Sequence, residues 1–251
     1  MRLVGVGVGP GDPQLLTLAG LRELGAAGRI FVPTASLAEP GRAEAVVRAA
    51  LPAGAPIERL TFALADDVRG PQHRRRARWD EAAGRVADYL REHGGTAAFA
   101  TLGDPMIYST FGYLAPTVRA LLPGLKIGTV PGITAMQAAA SATGMPLVEG
   151  AESLTVVPLS REVTGLRTAL RGGGTVVAYK GGRRLDEVRA EVQAAGALDR
   201  SVYAEHLGTP RARVRPLSDV AAGADLDGAE QAPYLSTVVI LPPRGGRGEQ
   251  L

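Results

Sequence analysis

The feature that most constrains the fold is an alternation of short β-branched runs with helix-like segments along the first half of the chain. The strand-like runs are "RLVGVGV", "RIFVPT", "TAAFATLG" and "KIGTVPG". Each is followed by a segment whose apolar residues recur at helical spacing, such as "PQLLTLAGLRELGAA" after the first run and "PMIYSTFGYLAPTVRALL" after the third. Repeated strand–helix–strand units favour a parallel sheet with helices packed on its faces.

The pattern restarts after the connector "GMPLVEGAES". The run "GTVVAYKGG" leads into the helix-like "RLDEVRAEVQAAG", and "SVYAEHL", "RARVRPL" and "PYLSTVVILPP" are typical of a group of partly antiparallel strands. We therefore predict two α/β domains. Residues 1–149 are expected to hold a mostly parallel sheet, residues 150–242 a mixed sheet, and residues 243–251 a flexible tail.

Composition narrows the function classes. The chain has no cysteine, which excludes disulfides and thiolate chemistry and favours a cytoplasmic setting. No apolar run approaches the ~18 residues of a membrane helix, so we expect no membrane partner. The few aromatic residues are not interleaved with the arginine runs, so no nucleic-acid partner is expected, although the arginine clusters keep RNA binding open. The three histidines are far apart in sequence, and we expect no protein-bound metal.

The opening stretch "RLVGVGVGPGDPQLLTLAG" invites comparison with a dinucleotide-binding loop. The pattern G-x-G-x-x-G needs a glycine three residues after the second. Starting from Gly5 that position is Pro10, and starting from Gly7 it is Asp12. Proline removes an N–H that would face a phosphate, and aspartate adds negative charge, so a nicotinamide oxidoreductase is disfavoured.

The dipeptide Asp12-Pro13 instead predicts the start of a helix, because aspartate is a favoured N-cap and proline a favoured first helical residue. The same pair returns as Asp104-Pro105 after another strand-like run. Two such turns at the carboxyl edge of one parallel sheet would suit a neutral or cationic ligand. Ordinary turn chemistry is the alternative explanation.

Three motifs carry a family resemblance. "VGVGPGDPQLLTLAG", "LGDPMIYSTFGYL" and "VPGITAMQAAASATGMPL" together resemble the tetrapyrrole methylase superfamily, and the similarity runs from about Arg2 to Leu241. "WDEAAGRVADYL", "AESLTVVP" and "DRSVYAEHLGTPRARVRPL" resemble the branch that methylates carbon 20 of precorrin-2 in cobalamin (vitamin B12) biosynthesis, to give precorrin-3A, or of its cobalt-bearing counterpart. A sibling acting on another ring carbon and an RNA methylase of the same superfamily are the alternatives.

The resemblance implies a homodimer of two-domain α/β chains, with the active site in the trough between the domains. It also implies S-adenosylmethionine (AdoMet) as the cofactor, held through backbone contacts and released as S-adenosylhomocysteine (AdoHcy). The cofactor-contacting positions carried over by motif are Pro10, Leu102, Gly103, Asp104, Ile107, Thr134, Ala135, Tyr179, Lys180, Gly208, Tyr234, Leu235 and Ser236.

Three residues are candidates for catalytic roles. Asp104 is expected to hold the cofactor, while Tyr108 and Glu205 are candidates to accept the proton released from the methylated carbon. Since AdoMet supplies the reactive methyl group, we expect the protein to align and desolvate rather than to provide a nucleophile.

Arginines are the expected ligands of an acidic tetrapyrrole, because a guanidinium pairs bidentately with carboxylate. Arg211, Arg213 and Arg215 alternate, which would place all three on one face of a strand. The run "HRRRAR" from His73 to Arg78 is a second candidate. Solvent-exposed strand and helix faces are the alternatives for the two clusters.

Overall fold

The structure is a computed structural model that describes residues 1–62, 72–159, 162–220 and 235–245. These residues divide into two compact units, the first Met1–Thr134 and the second beginning at Ala135. Among them, no helix combines the length and apolar composition needed to cross a bilayer.

The first unit contains a five-stranded sheet in the order β3-β2-β4-β1-β5, and every neighbouring pair is parallel. Its strands are β1 (Arg2–Gly7), β2 (Arg29–Thr34), β3 (Ile57–Thr61), β4 (Thr96–Thr101) and β5 (Lys126–Val130). Its helices are α1 (Leu18–Ala26), α2 (Arg42–Ala50), α3 (Gln72–His93) and α4 (Phe111–Leu121). Two apolar clusters cover opposite faces of the sheet, as the prediction of a parallel α/β unit requires.

The chain enters α1 in two steps rather than in one continuous helix. Asp12 caps a short 3₁₀ turn, Pro13–Leu15, by accepting a hydrogen bond from the Gln14 amide at 2.8 Å. Thr17 then caps α1, because its hydroxyl accepts from the Gly20 amide at 3.0 Å. The aspartate cap is confirmed, whereas the predicted unbroken helix is wrong because a second cap residue restarts the helix.

The second unit contains a mixed sheet in the order β6-β7-β10-β8-β9. Its strands are β6 (Leu154–Pro158), β7 (Thr175–Tyr179), β8 (Ser201–Glu205), β9 (Arg213–Pro216) and β10 (Ser236–Ile240), and its helices are α5 (Ala135–Thr143), α6 (Thr164–Leu170) and α7 (Leu185–Ala194). Only the β6–β7 pair is parallel, so the prediction of a mixed sheet is confirmed. Helix α6 was not predicted, because seven residues are too few to show a helical repeat.

The second unit begins earlier than the domain boundary that the sequence suggested at Gly150. Helix α5 packs on the second sheet, where Ala139 lies in an apolar cluster with Val177 and Val239. The predicted boundary followed the connector "GMPLVEGAES", but the packing of α5 assigns the preceding helix to the same compact unit.

Arg244 lies in the stretch expected to be a loose tail, yet it is firmly held. Its Nε and Nη2 donate to the two carboxylate oxygens of Glu152 at 2.9 and 2.6 Å, and its Nη1 donates to the Pro146 carbonyl at 3.0 Å. Arg244, which follows β10, therefore anchors the connector that precedes β6.

Candidate functional site

The loops after β1, β4 and β5 meet at the carboxyl edge of the first sheet. These three strands are neighbours, so their ends lie side by side. Gly9 and Gly103 form an isolated antiparallel bridge, in which the Gly103 amide donates to the Gly9 carbonyl at 2.7 Å. The two "GPGDP" and "LGDPM" turns are therefore held together directly, as the sequence suggested.

Glycines at this edge allow backbone to pack against backbone. A Cβ on Gly7 would lie 2.6 Å from the Gly132 amide nitrogen, and a Cβ on Gly132 would lie 2.1 Å from the Gly103 carbonyl oxygen. Gly103 itself has φ +70°, which favours glycine. Gly132 was not among the predicted site residues, although its place directly after a strand in "VPG" was the signal that could have found it.

Asp104 braces this edge. One carboxylate oxygen accepts from the Met106 amide at 2.8 Å and the other accepts from the Gly132 amide at 3.0 Å. It therefore ties the loop after β4 to the loop after β5. The helix predicted to begin at Pro105 begins only at Phe111, because residues 102–110 form this braced loop instead.

The other predicted cofactor positions of the first unit lie at the same edge or beside it. Pro10 is buried next to the Gly9 bridge, Leu102 precedes Gly103, and Ile107 is 38% exposed in the braced loop. Thr134 is buried at the end of the unit, and Ala135 opens helix α5 of the second unit.

Tyr108 occupies a strained position in the braced loop. Its φ of +49° is rare for a residue with a side chain, and strain of this kind concentrates at functional sites. The following residue fixes the loop, since the Ser109 hydroxyl donates to Thr101 Oγ1 at 3.0 Å. The Tyr108 side chain remains 44% exposed, and partial burial raises its pKa above the usual range.

The second sheet positions Tyr179, Lys180 and Ser236 together. The Tyr179 hydroxyl accepts from the Met136 amide at the start of α5, at 3.0 Å. The Lys180 amide donates to the Ser236 carbonyl at 3.1 Å. Lys180 has φ +63°, and burial lowers the pKa of its ammonium group.

Glu205 is a buried carboxylate, 3% exposed, at the end of β8. It accepts a hydrogen bond from the Tyr203 hydroxyl at 2.7 Å, and Arg213 Nη1 lies 4.0 Å from its other oxygen. Burial, followed by the interaction with Glu205, raises the pKa of Tyr203 far above its usual range. The phenol is thus a stable donor to a carboxylate.

The three predicted substrate arginines do not form one row. Arg213 and Arg215 share a face of β9, as the alternation predicted, because they pair across from Glu205 and Tyr203. The Arg215 guanidinium lies 5.9 Å from the Tyr203 ring centre. Arg211 is exposed and precedes the strand. The predicted single face therefore holds two arginines, since β9 begins only at Arg213.

The remaining predicted positions follow β8 or precede β10. Gly208 has φ +72° in the turn after His206, and Leu235 is 40% exposed. Tyr234 lies outside the described residues, as do the side chains of His73 to Arg75 in the arginine-rich run. In the described part of the chain, no group of three or more His, Cys, Asp or Glu side chains comes together as metal ligands would.

A cleft of about 490 Å³ opens at the other side of the first unit, between α2, β3 and α3. Its charged lining is largely self-paired. Glu44 binds Arg48 and Arg59, and Glu58 binds Arg85. We do not place the functional site there, because these pairs already satisfy one another.

Comparison with known proteins places the chain among methyltransferases. It is 30% identical over 242 residues to precorrin-2 C(20)-methyltransferase of Sinorhizobium sp., covering 95% of this chain and 94% of that protein. It is 27% identical over 240 residues to cobalt-precorrin-2 C(20)-methyltransferase of Salmonella typhimurium, covering 95% of each.

The fold is also that of a solved relative. The structure of uroporphyrin-III C-methyltransferase from Thermus thermophilus, complexed with S-adenyl homocysteine, matches with a TM-score of 0.63 at 24% identity, covering 95% of this chain and 97% of that one. The family model for tetrapyrrole (corrin/porphyrin) methylases matches residues 2–221. The chain that carries these braced glycine loops belongs to the tetrapyrrole (corrin/porphyrin) methylase family.

Proposed function

We propose that this protein transfers a methyl group from AdoMet to carbon 20 of precorrin-2, giving precorrin-3A in cobalamin biosynthesis. The observation that carries the proposal is the similarity to the Sinorhizobium C(20)-methyltransferase along 95% of the chain. The cobalt-bearing form of the substrate is the second candidate, favoured by the similarity to the Salmonella enzyme over the same share of the chain.

The first-sheet edge has the chemistry that AdoMet requires. The loops 8–17, 102–110 and 131–134 contain no lysine or arginine that would pair with a pyrophosphate. Glycines bring backbone groups close to this edge, and a sulfonium donor without phosphate fits such a surface. When bound, AdoMet supplies an electrophilic methyl group on its sulfonium sulfur.

The residues that would hold the cofactor are those that the family motifs indicate. Those of the first unit are Pro10, Leu102, Gly103, Asp104, Ile107 and Thr134. Those of the second unit are Ala135, Tyr179, Lys180, Gly208, Tyr234, Leu235 and Ser236. Asp104 would act by fixing the loops, since both of its oxygens accept backbone hydrogen bonds.

Methyl transfer requires that the protein align the methyl group with the ring carbon and provide a proton acceptor. Bound AdoMet would supply the methyl group, and the chain would have to align the ring carbon with it and accept the proton that this carbon loses. Tyr108 and Glu205 are the candidate acceptors. Tyr108 is the more accessible, at 44% exposed against 3% for Glu205, but its raised pKa keeps the phenol protonated at neutral pH, so it would have to pass its own proton on. Arg211, Arg213 and Arg215 would pair with substrate carboxylates.

Product analysis tests the proposal. The protein is incubated with AdoMet carrying a ¹³C-labelled methyl group and either precorrin-2 or cobalt-factor II, and the methyl group is located by NMR. We expect one new methyl group at carbon 20. Methylation at another ring carbon would identify a sibling activity, and no methylation of either compound together with tight RNA binding would overturn the proposal.

We also propose that the chain works as a cytoplasmic homodimer without a protein-bound metal, which is what the family resemblance implies. Sedimentation equilibrium of the purified protein should give twice the chain mass of 26.0 kDa. A single-chain mass at micromolar concentration would contradict the dimer.

A further inference from the structure

Two basic residues stand at the same edge of the second sheet. Strands β7 and β8 are both antiparallel to β10, which lies between them, so β7 and β8 are parallel and their carboxyl ends share one edge. Lys180 directly follows β7 and His206 directly follows β8. Two strand spacings separate their backbones, which corresponds to about 10 Å.

The pairing register fixes their level along the edge. Tyr179 pairs with Thr237, and Glu205 pairs with Ser236. Lys180 is the residue after Tyr179, and His206 is the residue after Glu205. Because β10 runs antiparallel to both strands, Lys180 stands level with Ser236 and His206 level with Leu235. The start of β10 therefore lies between the two basic residues.

Lys180 and His206 both adopt a backbone conformation that residues other than glycine rarely take. The φ angles are +63° at Lys180 and +50° at His206. Such strain persists only where surrounding contacts hold it. The Lys180 amide donates to the Ser236 carbonyl, and the His206 carbonyl accepts from the Thr209 amide at 3.1 Å and the Thr209 hydroxyl at 2.7 Å.

The two side chains share a preference for carboxylates. Both residues are partly buried, and an ammonium or imidazolium in partly desolvated surroundings binds a carboxylate more strongly than it would in water. The neighbouring Glu205 already accepts from Tyr203 and lies beside Arg213. The edge thus brings two basic residues to the same end of one sheet.

We propose that Lys180 and His206 form a pair of carboxylate-binding groups for the ligands of the reaction, an inference that rests on the proposed function. The carboxylates have two sources, the amino-acid part of AdoMet or AdoHcy and the acidic side chains of the tetrapyrrole. This extends Lys180 beyond a cofactor contact and gives His206 a role that the motifs did not indicate.

Matched variants test the pair. Lys180→Met and His206→Gln are compared with Lys126→Met and His93→Gln, which remove the same side chains from exposed positions in the first unit. The dissociation constant of AdoHcy is measured by calorimetry and the KM of precorrin-2 by methyl transfer. We expect the site variants to weaken at least one of the two by about 10-fold or more, while the controls stay near wild type.

The arm that responds identifies the source. A weaker AdoHcy affinity assigns the pair to the amino-acid carboxylate, and a raised KM at unchanged AdoHcy affinity assigns it to the tetrapyrrole. Wild-type values in both arms for both site variants would overturn the pair. A wild-type protein that fails to methylate precorrin-2 and cobalt-factor II would instead overturn the proposed function.

Chemical protection tests the inference on the unaltered protein. Lys126 and Lys180 are the two lysines of the chain, so acetylation can be followed by mass spectrometry at each. We expect AdoHcy or the tetrapyrrole to slow acetylation of Lys180 at least about 10-fold and to leave Lys126 unchanged. Equal acetylation of Lys180 with and without both ligands would overturn its role, whatever the activity of the variants.

Discussion

At the carboxyl edge of the first sheet, loops meet through backbone atoms of three glycines and one aspartate that braces them. At the corresponding edge of the second sheet, a buried phenol and a buried carboxylate meet the guanidinium groups of two partly exposed arginines. At Gly7 and Gly132 the first edge leaves no room for an added Cβ. The second tolerates little loss of hydrogen-bonding partners, because a buried group without a partner is costly.

The two edges differ in the charge of the ligand that each one suits. A backbone-lined edge without cations suits a positively charged sulfonium, whereas an edge with lysine, histidine and arginine suits carboxylates. Variants that add volume to the first edge and variants that remove polar groups from the second should therefore fail in different ways.

The largest effect is expected from Gly132→Ala. The new Cβ would lie 2.1 Å from the Gly103 carbonyl oxygen, a backbone atom that cannot turn aside. We expect a loss of about 3 kcal/mol or more in the free energy of unfolding, measured by urea denaturation, and a weaker affinity for AdoHcy. Gly84→Ala is the control, because no atom lies within 4 Å of its Cβ position in α3, and it should gain about 0.5–1 kcal/mol. Equal stability of Gly132→Ala and wild type would contradict the close packing.

The next largest effect is expected from Asp104→Asn, and it distinguishes the two Gly-Asp-Pro turns by their loss of stability. Asp104→Asn replaces one acceptor oxygen by a donor, so either the Met106 or the Gly132 amide loses its partner. We expect a loss of about 1.5–3 kcal/mol by urea denaturation. Asp12→Asn should cost less than about 0.5 kcal/mol, since asparagine is an equally good N-cap and one oxygen suffices there. Equal losses in the two variants would show that Asp104 caps its turn and braces nothing else.

The sequence predicted the first edge better than the second. Asp12 and the repeated Gly-Asp-Pro turn are local signals, and parallel strands bring their ends together whatever the details of packing. The contact between Gly7 and Gly132 depends on which strands are neighbours, which no local motif reveals. Helix α5 packs in the second compact unit, and no local motif states which sheet covers a helix.

The second edge depends on register, which is a long-range property. Alternation placed Arg213 and Arg215 on one face, but their partners follow from the pairing of β9 with β8. A shift by one residue would turn both arginines to the other face. The Tyr203–Glu205 hydrogen bond was not predicted, although alternation along the strand-like run "SVYAEHL" puts the two residues on one face.

A smaller effect should come from Tyr203→Phe. Removing the hydroxyl leaves Glu205 with one donor fewer, and we expect a loss of about 1 kcal/mol at pH 7. The folded-state pKa of Tyr203 lies above the unfolded value of 10.0. The neutral phenol therefore stabilises the fold fully below pH 10, and this contribution is lost as the pH rises further.

The pH dependence gives the sharper readout of the burial of this phenol, with a smaller contribution from its hydrogen bond to Glu205. Above pH 10 the wild type should lose up to about 1.4 kcal/mol per pH unit more than Tyr203→Phe does. Urea denaturation between pH 8 and about 11 measures the difference. Tyr113→Phe, at a residue 58% exposed, should retain the wild-type dependence. Parallel curves for wild type and Tyr203→Phe would show that the phenol is not buried as described.

The smallest effect is expected from Arg244→Lys, which keeps the charge of the clamp that holds the connector before β6. A lysine has no fixed fork, so it cannot bond both oxygens of Glu152 and the Pro146 carbonyl at once. Arg244 holds the pKa of Glu152 below its usual 4.5, so the ionised carboxylate stabilises the fold above that pH, and the contribution is lost as the pH falls. Arg244→Lys should therefore melt below wild type at pH 7, by a margin that narrows on acidification below about pH 4.5. Arg119→Lys, on the exposed side of α4, supplies the baseline for an arginine-to-lysine change. If Arg244→Lys melts at the same temperature as Arg119→Lys at pH 7, charge alone anchors the connector. The second unit would then depend less on specific hydrogen bonds of its polar side chains than the comparison of the two edges implies.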